Sequence, residues 1–266
     1  MELAKIHAPI AADLEVVNRD IRDWTDPRIA ALAAGKRLRP ALVLFAARAP
    51  GGASNPDARV LAAVLEMVHT ASLVHDDVLD SSRRRRGRAA LHRLIGVKPA
   101  VILADYLFVQ ALAQLERIRA AYLVPEVVRE VRTMCEGQWL EVKLARNDGA
   151  SEAEYLGVLE KKTAALFAFC CRAGGMLRCA PDRELAALDE FGRSFGFAYQ
   201  LLDDAADLCA ERPDPFERQV VRWGGQGYLR ASARRFARRA RSVLAQVPDH
   251  VTRRGMGRLL AHILEA

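Results

Sequence analysis

One acidic pattern, Asp-Asp-x-x-Asp, occurs twice at distant places in the chain: "DDVLD" supplies Asp76, Asp77 and Asp80, and "DDAAD" supplies Asp203, Asp204 and Asp207. The first and third aspartates of each copy are four residues apart, so on a helix two carboxylates leave one face and can reach the same cation. Like charges at that spacing repel, and the C-terminal end of a helix already carries partial negative charge. A positive group is therefore required at each copy. Hard divalent cations such as Mg²⁺ suit it, because they take carboxylate oxygens, keep several waters and share their remaining positions with phosphates.

One copy alone reads equally well as a solvated charged face, salt-bridged to the four arginines at 83 to 86. Two copies shift the balance. Each follows an apolar, helix-compatible stretch, "VLEMVHTASLVH" and "FGFAYQLL", which places the acids at the rim of an apolar cavity. No Ser/His/Asp or Cys/His arrangement accompanies them. The combination points to a ligand with an apolar body and a phosphate head.

The elements that must carry these groups are helical. Apolar residues recur at helical spacing along the chain, and strand-like alternation is hard to find. The expected class is all-α: a single bundle of long antiparallel helices forming one domain over residues 1–266. With 266 residues and 51% hydrophobic content, the chain can bury a sizeable core in one large domain. Breaks at "APGGASNPD", "RRRRGRAA", "ARNDGAS" and "AERPDPFE" delimit helices within it. Trp24, Trp139 and Trp223 read as core or helix-packing residues, the basic run at 234 to 242 as a solvated helix face, and His75 and His92 as undecided. The net charge of +7 suits an anionic partner. Nucleic acid is not that partner, since the arginines stand beside carboxylates and no nucleic-acid module is present. Five cysteines without metal-ligand spacing fit reduced thiols and a cytoplasmic setting. No apolar run approaches the roughly 20 residues needed to span a bilayer.

Four motifs in order resemble the head-to-tail (trans) isoprenyl diphosphate synthases, in particular bacterial medium- and long-chain members such as the heptaprenyl diphosphate synthase catalytic subunit. They are "GKRLRP" (Gly35 to Pro40), "EMVHTASLVHDDVLD" with the following "RRG", "KTAALFAFCCRAGGML" (Lys162 to Leu177) and "YQLLDDAAD" (Tyr199 to Asp207). The resemblance implies the isoprenoid synthase fold, a helical bundle around a deep apolar cavity with the two acidic motifs facing each other across its mouth. It implies condensation of isopentenyl diphosphate with an allylic diphosphate, with several Mg²⁺ ions as cofactor. Asp76, Asp80 and Asp203 are then the first metal ligands expected, and Asp77, Asp204 and Asp207 ligate directly or through water. Arg85 would hold the allylic diphosphate. Lys36, Arg39, His69 and Arg86 would hold the metal-free one. Lys162, Thr163 and Gln200 would approach the reacting carbons. Ala71 and Ser72, about one turn deeper than Asp76, would set chain length, and being small they imply a product longer than fifteen carbons. A homodimer or a heteromer with a second subunit is implied, with transient membrane contact for product release.

The chain departs from the family pattern after its second acidic motif. The usual Gly-Lys-x-x-x-Asp loop is replaced by "LCAERPDPFERQVVRWGG", which contains no lysine. This predicts a missing loop or helix near 210–225, a thin wall at the cavity mouth, and Arg212 or Arg218 as the nearby cations. It also leaves a second reading open, a weakly active or non-catalytic paralogue acting as a partner subunit.

Overall fold

The computed structural model describes residues 2–33, 35–48, 55–146, 149–208 and 215–265. Its longer helices are α1 (Ala11–Trp24), α2 (Leu38–Ala46), α3 (Pro56–Leu79), α4 (Val97–Gln114), α5 (Leu123–Ala145), α6 (Glu152–Leu159), α7 (Ala165–Leu177), α8 (Asp182–Asp207), α9 (Gly225–Leu244) and α10 (His250–Glu265). The all-α expectation holds. Local sequence sets several of the boundaries. Asn55 caps α3 by accepting a hydrogen bond from the Asp57 amide, with Pro56 at the first helical position. Ser151 and Glu154 form a reciprocal capping box at the start of α6.

The sequence reading passed over one small piece of β structure. Arg84–Arg85 (β1) and Arg88–Ala89 (β2) pair antiparallel, with Arg85 opposite Arg88. The two residues between them, Arg86 and Gly87, both have positive φ, 51° and 76°. A two-residue hairpin turn of the twist-matched kind needs that conformation at both positions. Strands of two residues carry no periodicity, which is why the arginine run did not announce them.

The core forms where α2, α3, α7 and α8 meet, with α1, α4 and α10 around them, and it is built from residues such as Leu42, Phe45, Leu61, Leu65, Phe167, Phe191 and Phe195. A second apolar cluster, including Tyr155, Phe197, Leu201, Phe216 and Val220, lies at the end of α8 that bears the second acidic motif. Of the three tryptophans, Trp24 packs half-buried beneath the Arg117 guanidinium and Trp223 packs beside Tyr155. Trp139 is 67% exposed, so the core reading is wrong for it. An apolar residue on the outer face of an amphipathic helix is indistinguishable by type from one on the inner face.

Close helix approach depends on glycine at α8. A Cβ on Gly192 would lie 2.4 Å from the Phe167 carbonyl oxygen and 2.7 Å from the Ala168 Cα, and backbone atoms cannot yield as a side chain can. Gly157 in α6 has nothing within 4 Å of its Cβ position. Gly192→Ala should therefore destabilise the fold by about 1–3 kcal/mol through overpacking. Gly157→Ala should stabilise it by about 0.5–1 kcal/mol through helix propensity. Thermal melts followed by circular dichroism read both, and equal effects of one sign would refute the packing argument.

Candidate active site

The first acidic motif closes α3. Asp76 and Asp77 are buried in its last turn, and Asp80 is the exposed C-cap residue. The second motif closes α8, with Asp203 and Asp207 exposed and Asp204 buried. Arg85 on β1 lies between the motifs. It hydrogen-bonds the Asp77 carboxylate at 2.6 and 2.8 Å, and its charge is felt by Asp76 and Asp80 on one side and by Asp203 and Asp207 on the other. The hairpin thus brings one guanidinium to both acidic ends.

Burial pushes the carboxyl groups of Asp76 and Asp204 above the ordinary aspartate range, and the protein crowding one side of Asp203 and Asp207 pushes theirs the same way although both keep solvent access. Removing a carboxylate from water disfavours its charged form, and here the nearby cations do not offset that cost. For Asp203 the Asp207 charge adds to the effect. Among the described residues no three acidic, histidine or cysteine side chains gather closely enough to hold an ion by themselves. The donor set is nonetheless all carboxylate oxygen, paired and poorly compensated, which fits a hard divalent cation whose other ligands come from a phosphate.

Lys162 approaches from the opposite wall. Its ammonium is 2.5 Å from Glu141 on α5 and 3.7 Å from Asp76. Burial lowers its proton affinity, but Asp76 and Glu141 outweigh that and hold it firmly protonated. Lys162 lies in a π-helical turn, Glu160–Ala164, inserted between α6 and α7. Such single turns recur at functional sites because they rotate side chains out of the regular helical order. Gly137 on α5 allows the approach, since a Cβ there would lie 2.7 Å from the Lys162 backbone nitrogen. The family resemblance singled out Lys162 but not Glu141 or Gly137, whose relevance depends on contacts across the bundle.

Thr163 follows Lys162 in the π-turn and donates its hydroxyl to the Gln200 side-chain carbonyl at 3.0 Å. The Gln200 amide donates to Asp204 at 2.7 Å, and the Tyr155 hydroxyl donates to the other Asp204 oxygen. Burial raises Asp204 to about 7 against the pull of these two hydrogen bonds. Both oxygens of Asp204 are spent inside the protein, as one of Asp77's is on Arg85. The middle aspartate of each motif is therefore tied into the protein, while Asp80, Asp203 and Asp207 reach solvent and Asp76 lies buried beside Lys162.

A second group of cations converges beside the first. Arg39 is buried, with its guanidinium 4.2 Å above the Phe167 ring and no hydrogen-bond partner for its Nε. His69, two helical turns before Asp76, is held well below the usual imidazole range by burial and by Arg39, Arg86 and Arg85. Arg86, at the hairpin tip, packs its guanidinium on Gly35 and donates to the Leu32 carbonyl at 2.9 Å. Lys36 is exposed, near enough to Asp203 for their charges to interact. Three arginines around a neutral histidine, one of them with an unused buried donor, form an arrangement suited to an anion.

Ala71 is fully buried, and the Ser72 hydroxyl is turned onto the His69 carbonyl at 2.8 Å. On α4, Phe108 faces α3 against the His75 ring, while Tyr106 and Val109 are 56% and 65% exposed. His75 pairs with Asp105 at 3.1 Å, and His92 is buried after the hairpin. Cavities of about 610 Å³ beside Asn18 and Arg37, and about 440 Å³ beside α10, are not lined by either acidic motif. Part of the shortened segment, including Arg212, lies outside the described residues. Where description resumes, Phe216 and Trp223 pack at a tilt against the Tyr155 ring, and Gln219 bonds the Leu144 carbonyl and the Ala150 amide. The wall expected to be thin is packed there with aromatic side chains, and Arg218 is exposed.

The family model of polyprenyl synthetases matches residues 25–219. A short-chain isoprenyl diphosphate synthase of Methanothermobacter thermautotrophicus is 38% identical over 67% of this chain, and the aligned stretch spans 56% of that relative. A geranylgeranyl diphosphate synthase of Methanosarcina mazei is likewise 38% identical with 56% of its length spanned. The chain thus spans little more than half the length of these relatives. The octaprenyl diphosphate synthase of Escherichia coli is 31% identical over 79% of this chain and 68% of its own. Among solved structures, a decaprenyl diphosphate synthase from Rhodobacter capsulatus is 28% identical, with TM-score 0.89 and 99% of each chain covered. A polyprenyl synthase from Caulobacter crescentus, complexed with calcium and isoprenyl diphosphate, is 27% identical, with TM-score 0.86, covering all of this chain and 98% of that one.

The Tyr155–Asp204 hydrogen bond is testable by stability alone. Tyr155→Phe should cost about 1–3 kcal/mol, as expected for a buried hydrogen bond to an ionisable partner. In an Asp204→Ala background the same change should cost almost nothing, because the hydroxyl no longer has that partner. Urea unfolding of the four chains gives the coupling, and equal costs in both backgrounds would exclude it.

Proposed function

The chain belongs to the polyprenyl synthetase family, and we propose that it condenses isopentenyl diphosphate with an allylic diphosphate to give a polyprenyl diphosphate. One observation carries the reading: two carboxylate-bearing helix ends share the field of Arg85, with Lys162 beside the first, Gln200 and Thr163 tied to the second, and a cluster of basic groups around His69 close by. The synthases named above support it, and none of them supports a non-catalytic partner subunit. No helix among the described residues is long and apolar enough to cross a membrane.

Asp76, Asp80, Asp203 and Asp207 would hold Mg²⁺ together with the allylic diphosphate, Asp77 serving through Arg85 and Asp204 through Gln200. Bound there, Mg²⁺ would supply Lewis-acid stabilisation of charge on the departing pyrophosphate. Arg85 and Lys162 add fixed positive charge to that same group, worth more in a water-poor mouth than in bulk solvent. Lys36, Arg39, His69 and Arg86 hold the metal-free diphosphate, where a planar guanidinium binds two phosphate oxygens at once. Thr163 and Gln200, fixed by Asp204 and Tyr155, direct their dipoles toward the reacting carbons. The departing pyrophosphate takes the proton that ends the condensation, so no side-chain base is required.

The substrates are water-soluble diphosphates and the four described cysteines are free thiols, which together support a cytoplasmic reaction. Product release would bring the chain into transient contact with a membrane. Ile102, Tyr106 and Val109 form an exposed apolar stripe on α4. Surface of this kind marks a protein interface, and we assign it to a second synthase subunit, a copy of this chain or a related one.

Incubation with isopentenyl diphosphate, a panel of allylic diphosphates and Mg²⁺ should yield longer allylic diphosphates, read by mass. Pyrophosphate with Mg²⁺ should raise the melting temperature well beyond Mg²⁺ alone, since a ligand at 100 times its Kd adds about 2.7 kcal/mol. Asp76→Ala and Asp203→Ala should each cut turnover by about a hundredfold or more while the helical spectrum is kept. Full activity in either would remove the metal assignment.

Chain length gives a further expectation. A tail growing from the carboxylate rim passes Ala71 and Ser72, about one helical turn deeper. Neither residue is bulky, so the product should exceed fifteen carbons. Ala71→Phe should shorten it, because a ring in the tail's path makes further growth a matter of overpacking. A wild-type product of fifteen carbons, or an unchanged distribution in a folded, active Ala71→Phe enzyme, would refute the assignment.

A further inference from the structure

Between Lys36 and Arg39 the backbone makes an uncommon turn. Arg37 has φ 51° and ψ 35°, the left-handed region, and stands at the N-cap of α2 without a capping side chain. A residue with a Cβ occupies that region at a cost of roughly 1–2 kcal/mol, so a non-glycine there must be held by its surroundings. Arg37 is held from two neighbouring helices. Its guanidinium is 3.0 Å from the Glu66 carboxylate on α3 and 2.7 Å from the Asn18 side-chain oxygen on α1. Glu66 is buried, 5% exposed at its side chain, and lies one turn before His69 on the same helix. Its charge also favours the buried Arg39, second only to the burial that opposes it.

We infer that Glu66 and Arg37 are positioning residues: their buried ion pair holds the left-handed turn, and the turn sets Lys36 and Arg39 beside His69 for a metal-free diphosphate. Neither touches the diphosphate, and the inference rests on the functional reading given above. The lever is geometric. Lys36 precedes the turn and Arg39 is in the first turn of the helix that follows, so a change in φ at Arg37 swings one basic group relative to the other. A buried pair serving stability alone would make a different prediction, because replacing such a pair with neutral groups is often neutral or stabilising.

The test is calorimetric binding of isopentenyl diphosphate without metal, which needs no turnover. Glu66→Gln leaves Arg37 buried without its counter-charge and should weaken binding about tenfold, the scale of one lost positioning contact. Two double variants then separate conformation from charge. Glu66→Gln with Arg37→Gly removes the pair but lets the backbone keep positive φ, and should bind within about threefold of the unaltered chain. Glu66→Gln with Arg37→Ala removes the pair and disfavours the turn, and should remain about tenfold weaker. The thermal shift given by pyrophosphate with Mg²⁺ should change little across the set, because that site is built by other residues. Equal binding by the glycine and alanine variants, or undiminished binding by Glu66→Gln, would overturn the inference. If the unaltered chain fails to bind metal-free isopentenyl diphosphate, the functional reading itself fails and the inference falls with it.

Discussion

The constraint on which the site depends is the cost of holding several carboxylates at the edge of an apolar bundle. Asp76, Asp203, Asp204 and Asp207 are all pushed toward their neutral forms by burial, and the effect exceeds what the neighbouring cations return. A stable protein would ordinarily solvate such groups or pair them fully. Here the pairing is partial and divided. Lys162 serves Asp76 and Glu141 together, and Arg85 serves Asp77 while standing near four other aspartates. The remainder favours any further positive charge brought to these helix ends.

Around that constraint the backbone is bent to purpose at two points. The helix carrying Lys162 and Thr163 passes through a π-helical turn, and Gly137 and Gly196 let its neighbours close on it. The arginine hairpin, whose tip residues both have positive φ, projects Arg85 toward the acids and Arg86 toward Gly35. In each case the local conformation is one a regular helix would not give, and long-range packing sustains it. The rest of the bundle is ordinary helix packing, and it supplies the low dielectric in which a few charges are strong.

Much of this was legible in the sequence, and the limits of legibility have a physical cause. Helical periodicity and the i, i+4 spacing of the outer aspartates depend on local geometry alone, so the class and the existence of two acidic helix ends could be read directly. The division of labour within each motif could not. Asp76 and Asp77 are neighbours in sequence, yet one faces Lys162 and the other Arg85, and the difference is set by where β1 and the π-turn lie. Glu141, Tyr155 and Gly137 escaped notice for the same reason, since nothing in their own surroundings in the sequence marks them. Trp139 shows the converse limit: residue type suggested burial, and helix orientation placed it outside.

The shortened segment after the second motif illustrates how a departure in sequence can be absorbed in structure. Loss of a lysine-bearing loop predicted a thin wall at the mouth. Instead Phe216 and Trp223 close on the Tyr155 ring, and Gln219 ties the segment to the end of α5 and to the Ala150 amide that precedes α6. The hydroxyl of that same tyrosine holds Asp204, and Asp204 orients Gln200 beside Thr163. Packing of this segment and orientation of Gln200 and Thr163 therefore pass through one side chain. A change at Phe216 or Trp223 that tilts Tyr155 would be felt at Gln200 without altering Arg85 or Lys162. The segment thus bears on how Gln200 and Thr163 are oriented, while the charges of the two helix ends are set by Arg85 and Lys162.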